Sequence, residues 1–466
     1  MGQQPSLVRR LGLVSATALV VSNMIGTGIF TTTGFLAADL GQPRLILLSW
    51  IVGAIGALLG AVCYSELAIN FPSSGGEYVY LSRAYGPTWG FISGWVSLFA
   101  GFSAPIAAAA LSFASYVAFF FPHWQRSEQQ IIACVLVGLF SLTNLFGIRR
   151  AARLQNALTA SKLVLLIGFV LAGLFFGHGD WHNFSQVATR STDTPLSQQF
   201  AVSLFWIYVA YSGWNAATYV AEEIKKPEQI LSRALVIGTG LVALIYLALN
   251  VTFFYATTPA SMKGVMAVGA LSASHLFGPR IAGAFSALMA CGLLSTVNAM
   301  TIAGPRVYYA MARDGQFFRF AGTVHQHWRT PVYAILAQGI CTILLVFTPF
   351  PQLVVYIGFT LNLFAVMSVA SLFIFRRQSQ WRRLRGISFA YPLIPCLFIA
   401  VGVWMTVEGV LQKPLISIWA TLTLASGGVL HWLRSNRPKR ASEGQAQRNS
   451  NEESKIAPES SNDLNL

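Results

Sequence analysis

The sequence predicts an all-α polytopic membrane protein with twelve transmembrane helices, arranged as two inverted repeats of five plus two added helices. Three observations predict it. Hydrophobic residues make up 55% of the chain and charged residues only 10%, against roughly one quarter charged in soluble domains. Apolar runs of about 20 residues, long enough to cross a bilayer, recur along almost the whole chain. Two of these runs are interrupted by glycine near their middles, at matching positions in the two halves.

The twelve runs fall at 11–38, 44–69, 87–121, 128–147, 154–176, 198–221, 231–257, 279–311, 331–349, 352–375, 390–412 and 414–433. The third and eighth are long for one crossing and should tilt. Arg9 and Arg10 precede the first run, as in a signal peptide. That run is too long and too broken for one, so it reads as an uncleaved first helix. The expected organisation is a cytoplasmic N-terminus at 1–10, a transmembrane domain at 11–433 and a cytoplasmic tail at 434–466. Within the domain the repeats are 11–176 and 198–376, and 390–433 holds the added helices. The tail is rich in Ser, Asn, Glu and Gln and is expected to be disordered.

The net charge of +15 invites a nucleic-acid reading, and the placement of the charges argues against it. With the N-terminus inside, only Arg44, Arg126, Arg190, Lys263, Arg280 and Lys413 fall outside, and Lys162 alone lies within the membrane. The remaining Lys and Arg, including Arg149, Arg150, Arg153, Lys225, Lys226, Arg313, Arg376, Arg377, Arg382 and Arg383, fall on the cytoplasmic side. This bias sets orientation in a cell membrane, with both termini cytoplasmic. Cys63, Cys134, Cys291, Cys341 and Cys396 all lie within expected spans, as small hydrophobes. Their spacing resembles no metal framework, and neither a metal nor a cofactor is expected.

The first interruption is Gly26-Thr-Gly28, inside Val21–Phe30. Each glycine costs about 1 kcal/mol against alanine in a helix interior. Unwound backbone in hydrocarbon persists only where protein or a wet cavity satisfies its N–H and C=O groups. The competing structural reading is a glycine face packed against another helix. The second interruption, Ser212-Gly213, lies in the sixth run within Phe205–Asn215, and Asn215 adds an amide that needs a partner. Paired broken segments point to a transporter whose site lies at the midplane. Half-helix N-termini favour a carboxylate there, while half-helix C-termini offer carbonyls to an ammonium. A zwitterionic amino acid satisfies both, leaving Tyr208, Val209 and Tyr211 to contact its side chain.

Few ionisable groups lie within the runs. Glu66, Glu222, Glu223 and Glu408 are near span ends, where interfacial positions suit them. Lys162 lies deeper. It either snorkels toward the cytoplasm, Arg153 being nine residues back or about 13 Å at helical rise, or is functional.

Several strings together resemble the amino acid–polyamine–organocation superfamily, most closely its L-amino-acid transporter-like branch. They are Gly26-Thr-Gly-Ile-Phe30, Tyr64-Ser-Glu-Leu67 with Pro72-Ser-Ser-Gly-Gly-Glu-Tyr-Val-Tyr80, Ala210-Tyr-Ser-Gly-Trp-Asn215 with Glu222-Glu-Ile-Lys-Lys-Pro227, and Val297-Asn298 with Arg306–Gly315. The resemblance covers about residues 8–376 and implies the LeuT-like five-plus-five fold with broken helices 1 and 6. It implies that N–H groups of Gly26, Thr27 and Gly28 hold the substrate carboxylate, and that carbonyls of Met24, Val209 and Ser212 meet its amine. The aromatic that gates the site in this branch corresponds to Val209, which is not aromatic, so Tyr208 and Trp206 are the alternatives for the outer gate. Lys162 corresponds to a lysine that replaces sodium in sodium-independent members, with Ser295 and Thr296 of the eighth span as its expected hydroxyl partners. Proton coupling is compatible with that lysine but not required by it. Animal members of the branch bond to a glycoprotein through a cysteine between spans three and four. Pro122–Glu128 contains no cysteine, so no disulfide-linked heavy subunit is expected.

The leading expectation is a sodium-independent amino acid carrier, permease or exchanger, working by alternating access. Neutral L-amino acids lead because no acidic residue lies at either break. A cationic amino acid or polyamine carrier, or a non-transporting sensor on the same fold, stands as the alternative. A channel would need a continuous polar pore or a charged ring. An enzyme would need clustered acids, histidines or a nucleophile at one depth. The seven histidines lie almost entirely in loops or at span ends.

Overall fold

Proline opens helix after helix in this chain, as expected of a residue whose missing N–H costs nothing in a first turn. The computed structural model describes residues 11–72, 75–145, 148–313, 315–325, 330–384 and 389–435, and every regular element among them is helical. Helices α1 (Leu13–Met24) and α2 (Gly28–Leu40) are bent by 40° about their junction. Then come α3 (Pro43–Asn70) and a short α4 (Glu77–Tyr85). Helix α5 (Pro87–Val96) passes through a π-helical turn, Ser97–Ser103, into α6 (Ala104–Val117). The first half ends with α7 (Arg126–Leu145) and α8 (Ile148–Phe176).

Helix α9 (Leu196–Tyr211) stops at Ser212, and the chain continues as a 3₁₀ segment, Ala216–Glu223. Beyond it lie α10 (Pro227–Ala256), α11 (Pro259–Met262), α12 (Val268–Phe277) and α13 (Pro279–Arg313). The last four are α14 (Val332–Val346), α15 (Phe350–Phe375), α16 (Leu393–Gln412) and α17 (Pro414–Ser435). Among the described residues, eight helices are long and apolar enough to cross a membrane, and the bent α1–α2 pair makes a ninth. The runs expected at 154–176 and 331–349 hold shorter apolar helical stretches, Ala160–Phe176 and Val332–Val346, and the run at 198–221 is divided between α9 and the 3₁₀ segment. The protein is multi-pass. Ile131, Val135, Leu139 and Leu142 on α7 form an exposed apolar stripe suited to lipid.

Helix α10 packs along α1 and α3, α13 along α6 and α8, and α2 beside α9. Both broken segments therefore lie against long helices that can satisfy their backbone. Glu66 departs from its expected interfacial place. It is fully buried, and Arg376 holds it with two bonds of 2.7 Å. Trp381 Nε1 and the Leu384 N–H also donate to it, at 2.8 and 2.9 Å. Four donors on one carboxylate make burial tolerable where snorkelling was expected. The side chains of Glu222 and Glu223 lie outside the described residues, as do residues 1–10 and 436–466. Helix α17 runs to Ser435, two residues past the expected domain boundary.

Candidate functional site

The first break is short because the chain uses its own backbone to turn. Ile25 N–H still donates to Val21 O at 3.1 Å, and Gly26 N–H folds back to Met24 O at 2.8 Å. Thr27 occupies the N-cap position of α2 without a side-chain cap bond, and the Phe30 N–H donates to Thr27 O at 3.1 Å. The first N–H groups of a helix have no intrahelical acceptor of their own. At the second break Ser212 turns extended (ψ 149°) and Gly213 adopts φ +96°, a conformation that glycine enters without strain.

The two breaks touch. A Cβ added at Gly28 would lie 2.2 Å from Ala210 Cα, and one at Gly213 would lie 2.8 Å from the Asn23 carbonyl carbon. Tyr246 of α10 ties them together. Its hydroxyl donates to Met24 O at 2.7 Å, with Ala210 O also within reach at 3.2 Å. Nothing in the sequence marks Tyr246, because it lies in an uninterrupted apolar run.

Lys162 is 1% exposed, and its Nζ donates to the carbonyl of Ile25 in the first break. Its stem runs past Gly292 of α13, where an added Cβ would stand 3.6 Å from Lys162 Cγ and Cδ. The lysine therefore joins α8 to the first break and lies against α13. Of its two expected hydroxyl partners, Ser295 is fully buried on α13. Thr296 is placed differently. Its Oγ1 is buried with no hydrogen-bond partner among the described residues, and its methyl faces Gly26.

A cavity of about 30 Å³ lies where the breaks meet, room for a water or two. Met24, Gly26, Thr27, Gly28, Val209, Ser212 and Thr296 line it, as do Thr31 and Thr32 of α2 and Phe350, Val354 and Ile357 of α15. No charged side chain is among its lining residues. Tyr208 and Tyr211 are not there. Tyr208 turns its hydroxyl to Leu361 O at 3.3 Å. Tyr211 bonds Trp50 O at 3.2 Å, edge-on to the Trp50 ring. Their directions follow the packing of α9 against α15 and α3, which short-range sequence spacing does not reveal.

Two of the three carbonyls expected to meet an amine are already engaged. Met24 O accepts from Tyr246 and Gly26, and Val209 O accepts from the Ser212 N–H at 3.1 Å and its hydroxyl at 2.7 Å. A carbonyl oxygen has two lone pairs. The Ser212 hydroxyl is the donor that can rotate away most easily.

Phe350 carries the cavity wall into an aromatic stack. Phe35 of α2 lies 4.6 Å from Trp206 of α9, nearly parallel, and 5.6 Å from Phe350. Broken helices that pair half-helix ends around a small, uncharged cavity are the architecture of a solute carrier. The family model described as amino acid permease matches residues 11–431.

The chain belongs to the amino acid permease family.

Three relatives show how far the likeness extends. The permease is 30% identical over 407 residues to the large neutral amino acids transporter small subunit 2 of Mus musculus, covering 85% of this chain and 76% of that one. It is 29% identical over 401 residues to the serine/threonine exchanger SteT of Bacillus subtilis, covering 84% and 89%. With the b(0,+)-type amino acid transporter 1 of Mus musculus it shares 27% over 438 residues, covering 92% and 88%. The permease is similar to amino acid transporters and exchangers along nearly all of its membrane domain.

Proposed function

We propose that this permease is a sodium-independent secondary carrier of neutral L-amino acids, working by alternating access in the cell membrane with both termini cytoplasmic. The observation that carries this reading is the junction of the two breaks around a cavity without a charged side chain. The N-terminus of α2 favours the substrate carboxylate through its N–H groups and dipole. The carbonyls at the ends of α1 and α9 suit the amine. Thr31, Thr32 and Thr296 are the polar wall, and Val209, Phe350, Val354 and Ile357 the apolar one. An arginine-, lysine- or polyamine-selective site would need an acid to pair the extra charge, and none lines the cavity. Two of the relatives are named for neutral substrates, large neutral amino acids and serine/threonine.

Lys162 supplies a tethered cation at the first break, which is why no sodium ion is required there. Twelve crossings in the LeuT-like five-plus-five arrangement, with the breaks in helices 1 and 6, fit the order of the helices. The Phe35–Trp206–Phe350 stack is the outer gate in this reading, one helical turn from Val209. The absence of a cysteine in Pro122–Glu128 supports a carrier without a disulfide-linked subunit.

The test is counterflow. Purified protein in sodium-free proteoliposomes, preloaded with one unlabelled L-amino acid, should accumulate labelled neutral amino acids and exclude arginine and putrescine. Binding without counterflow would favour the sensor. Accumulation of arginine or putrescine in preference to neutral substrates would favour the cationic reading.

A further inference from the structure

Glu77 begins α4, and its carboxylate collects donors from outside that helix. Tyr64 of α3 donates to Oε1 at 3.1 Å, and Asn215 Nδ2 donates to the same oxygen at 2.5 Å. The Tyr219 hydroxyl donates to Oε2 and also lies 3.3 Å from Asn215 Nδ2. Asn215 closes the second break, and Tyr219 belongs to the 3₁₀ segment that follows it. One carboxylate thus fastens α3 and α4 to the chain leaving the second break. Bonds to an ionised acceptor are roughly twice as strong as neutral ones.

The shape of the turn before α4 supports the same contact. Gly76 adopts φ +53°, and a Cβ there would stand 2.4 Å from the Tyr219 ring. The ring rests directly on the turn. Trp214 adds an edge-on contact with Tyr64, their ring centroids 4.7 Å apart.

The 3₁₀ segment does not end alone. Ile224 pairs with Leu11 in an isolated bridge, and Lys225 N–H donates to Leu11 O at 2.9 Å. The inner halves of both broken spans, α1 and Ala216–Glu223, are therefore joined to each other. The bonds to Glu77 hold the chain around the 3₁₀ segment to α3 and α4, and through the Leu11 pairing they act on α1 as well. Neither ammonium binding nor the carboxylate cradle uses this cluster.

We infer that Glu77 is a positioning residue that latches the inner halves of both broken spans, so that releasing its bonds opens the site toward the face carrying Arg376 and Arg382. The inference rests on the carrier reading, and its test needs no substrate. Ala217 lies in the 3₁₀ segment and is 0% exposed. In a background with the native cysteines replaced by alanine, Ala217→Cys reports whether that segment has moved. Oriented vesicles are treated with a membrane-impermeant maleimide from each face in turn.

Glu77→Gln keeps the size and one acceptor oxygen but loses the charge. Tyr219→Phe removes a single hydroxyl from a partly exposed ring, so it carries the test where Glu77→Gln fails to fold. Both should raise labelling at position 217 at least fivefold from the Arg376 face and leave it unchanged from the other. Unchanged labelling in both variants, or an equal rise from both faces, would overturn the latch. One-sided labelling in a protein that shows no amino acid counterflow would uphold the latch and defeat the carrier reading.

Discussion

Two glycines only two residues apart, Gly26 and Gly28, do different work. Gly28 is pressed against the Ala210 backbone, where an added Cβ would lie 2.2 Å from Cα, so any side chain there pushes α2 off α9. Gly26 faces the cavity, and a Cβ there meets the Thr296 methyl at 3.6 Å and Met24 O at 3.9 Å, both ordinary contacts. Gly26→Ala should therefore fold normally, with an unchanged melting temperature, while substrate affinity drops at least tenfold, about 1.4 kcal/mol. Gly28→Ala should lower the melting temperature before binding is even considered. Wild-type affinity in a well-folded Gly26→Ala protein would remove Gly26 from the carboxylate cradle. Lys162 poses a sharper question. Its removal leaves the buried Ile25 carbonyl without its lysine donor, a cost of about 1–3 kcal/mol. Lys162→Ala is expected to remain monodisperse and to lose transport. Full counterflow by this variant would reduce the lysine to a packing group.

The broken elements were legible in the sequence because glycine and serine at the middle of an apolar run leave few alternatives. The faces of those elements were not. Tyr208 and Tyr211 stand beside Val209 in the chain, yet only Val209 lines the cavity, because α9 is rotated by its contacts with Trp50, Tyr246 and Leu361. Tyr246 was invisible for the same reason, since its partners are 222 and 36 residues away. Glu66 read as interfacial because its partner Arg376 is 310 residues distant. That pair also makes a prediction. Leaving one charge of a buried pair alone costs about 3–5 kcal/mol, so Arg376→Ala should destabilise strongly in thermal melts. Arg376→Ala combined with Glu66→Ala should recover part of the loss, and two fully additive losses would show that the pair is not coupled. At the proposed outer gate, Trp206→Ala breaks the stack between α2, α9 and α15. It should speed release of bound substrate to the outside, read as a faster off-rate. An unchanged off-rate would place the gate elsewhere, while Val209→Phe should shift preference toward smaller neutral substrates by filling the cavity.

On the scale of the whole molecule, the two ends differ in chemistry. At one end Arg376 and Arg382 engage Glu66 and Glu228, and Arg382 N–H bonds Asn70. At the other, Arg190 bonds the Asp39 carbonyl at 3.1 Å and Lys263 bonds Thr189 O at 2.7 Å. The described chain starts at the first of these ends, where Leu11 pairs with Ile224 and Lys225, next to the segment that Glu77 holds. It finishes there too. His431 of α17 lies 3.3 Å from Thr88 at the start of α5, just beyond the α4 that Glu77 opens, and Arg434 bonds Gly315 O. On the proposed reading, two described ends at one face mean an even number of crossings, in keeping with the twelve proposed spans. In the proposed topology the Lys and Arg concentrated at that end face the cytoplasm. Tags ahead of Met1 and after Leu466 should therefore both be protected in sealed right-side-out vesicles. Cysteines introduced in place of Arg44 and Lys413 should be labelled from outside. A protected N-terminus with an accessible C-terminus would demand an odd number of crossings, and the proposed five-plus-five reading would fall with it.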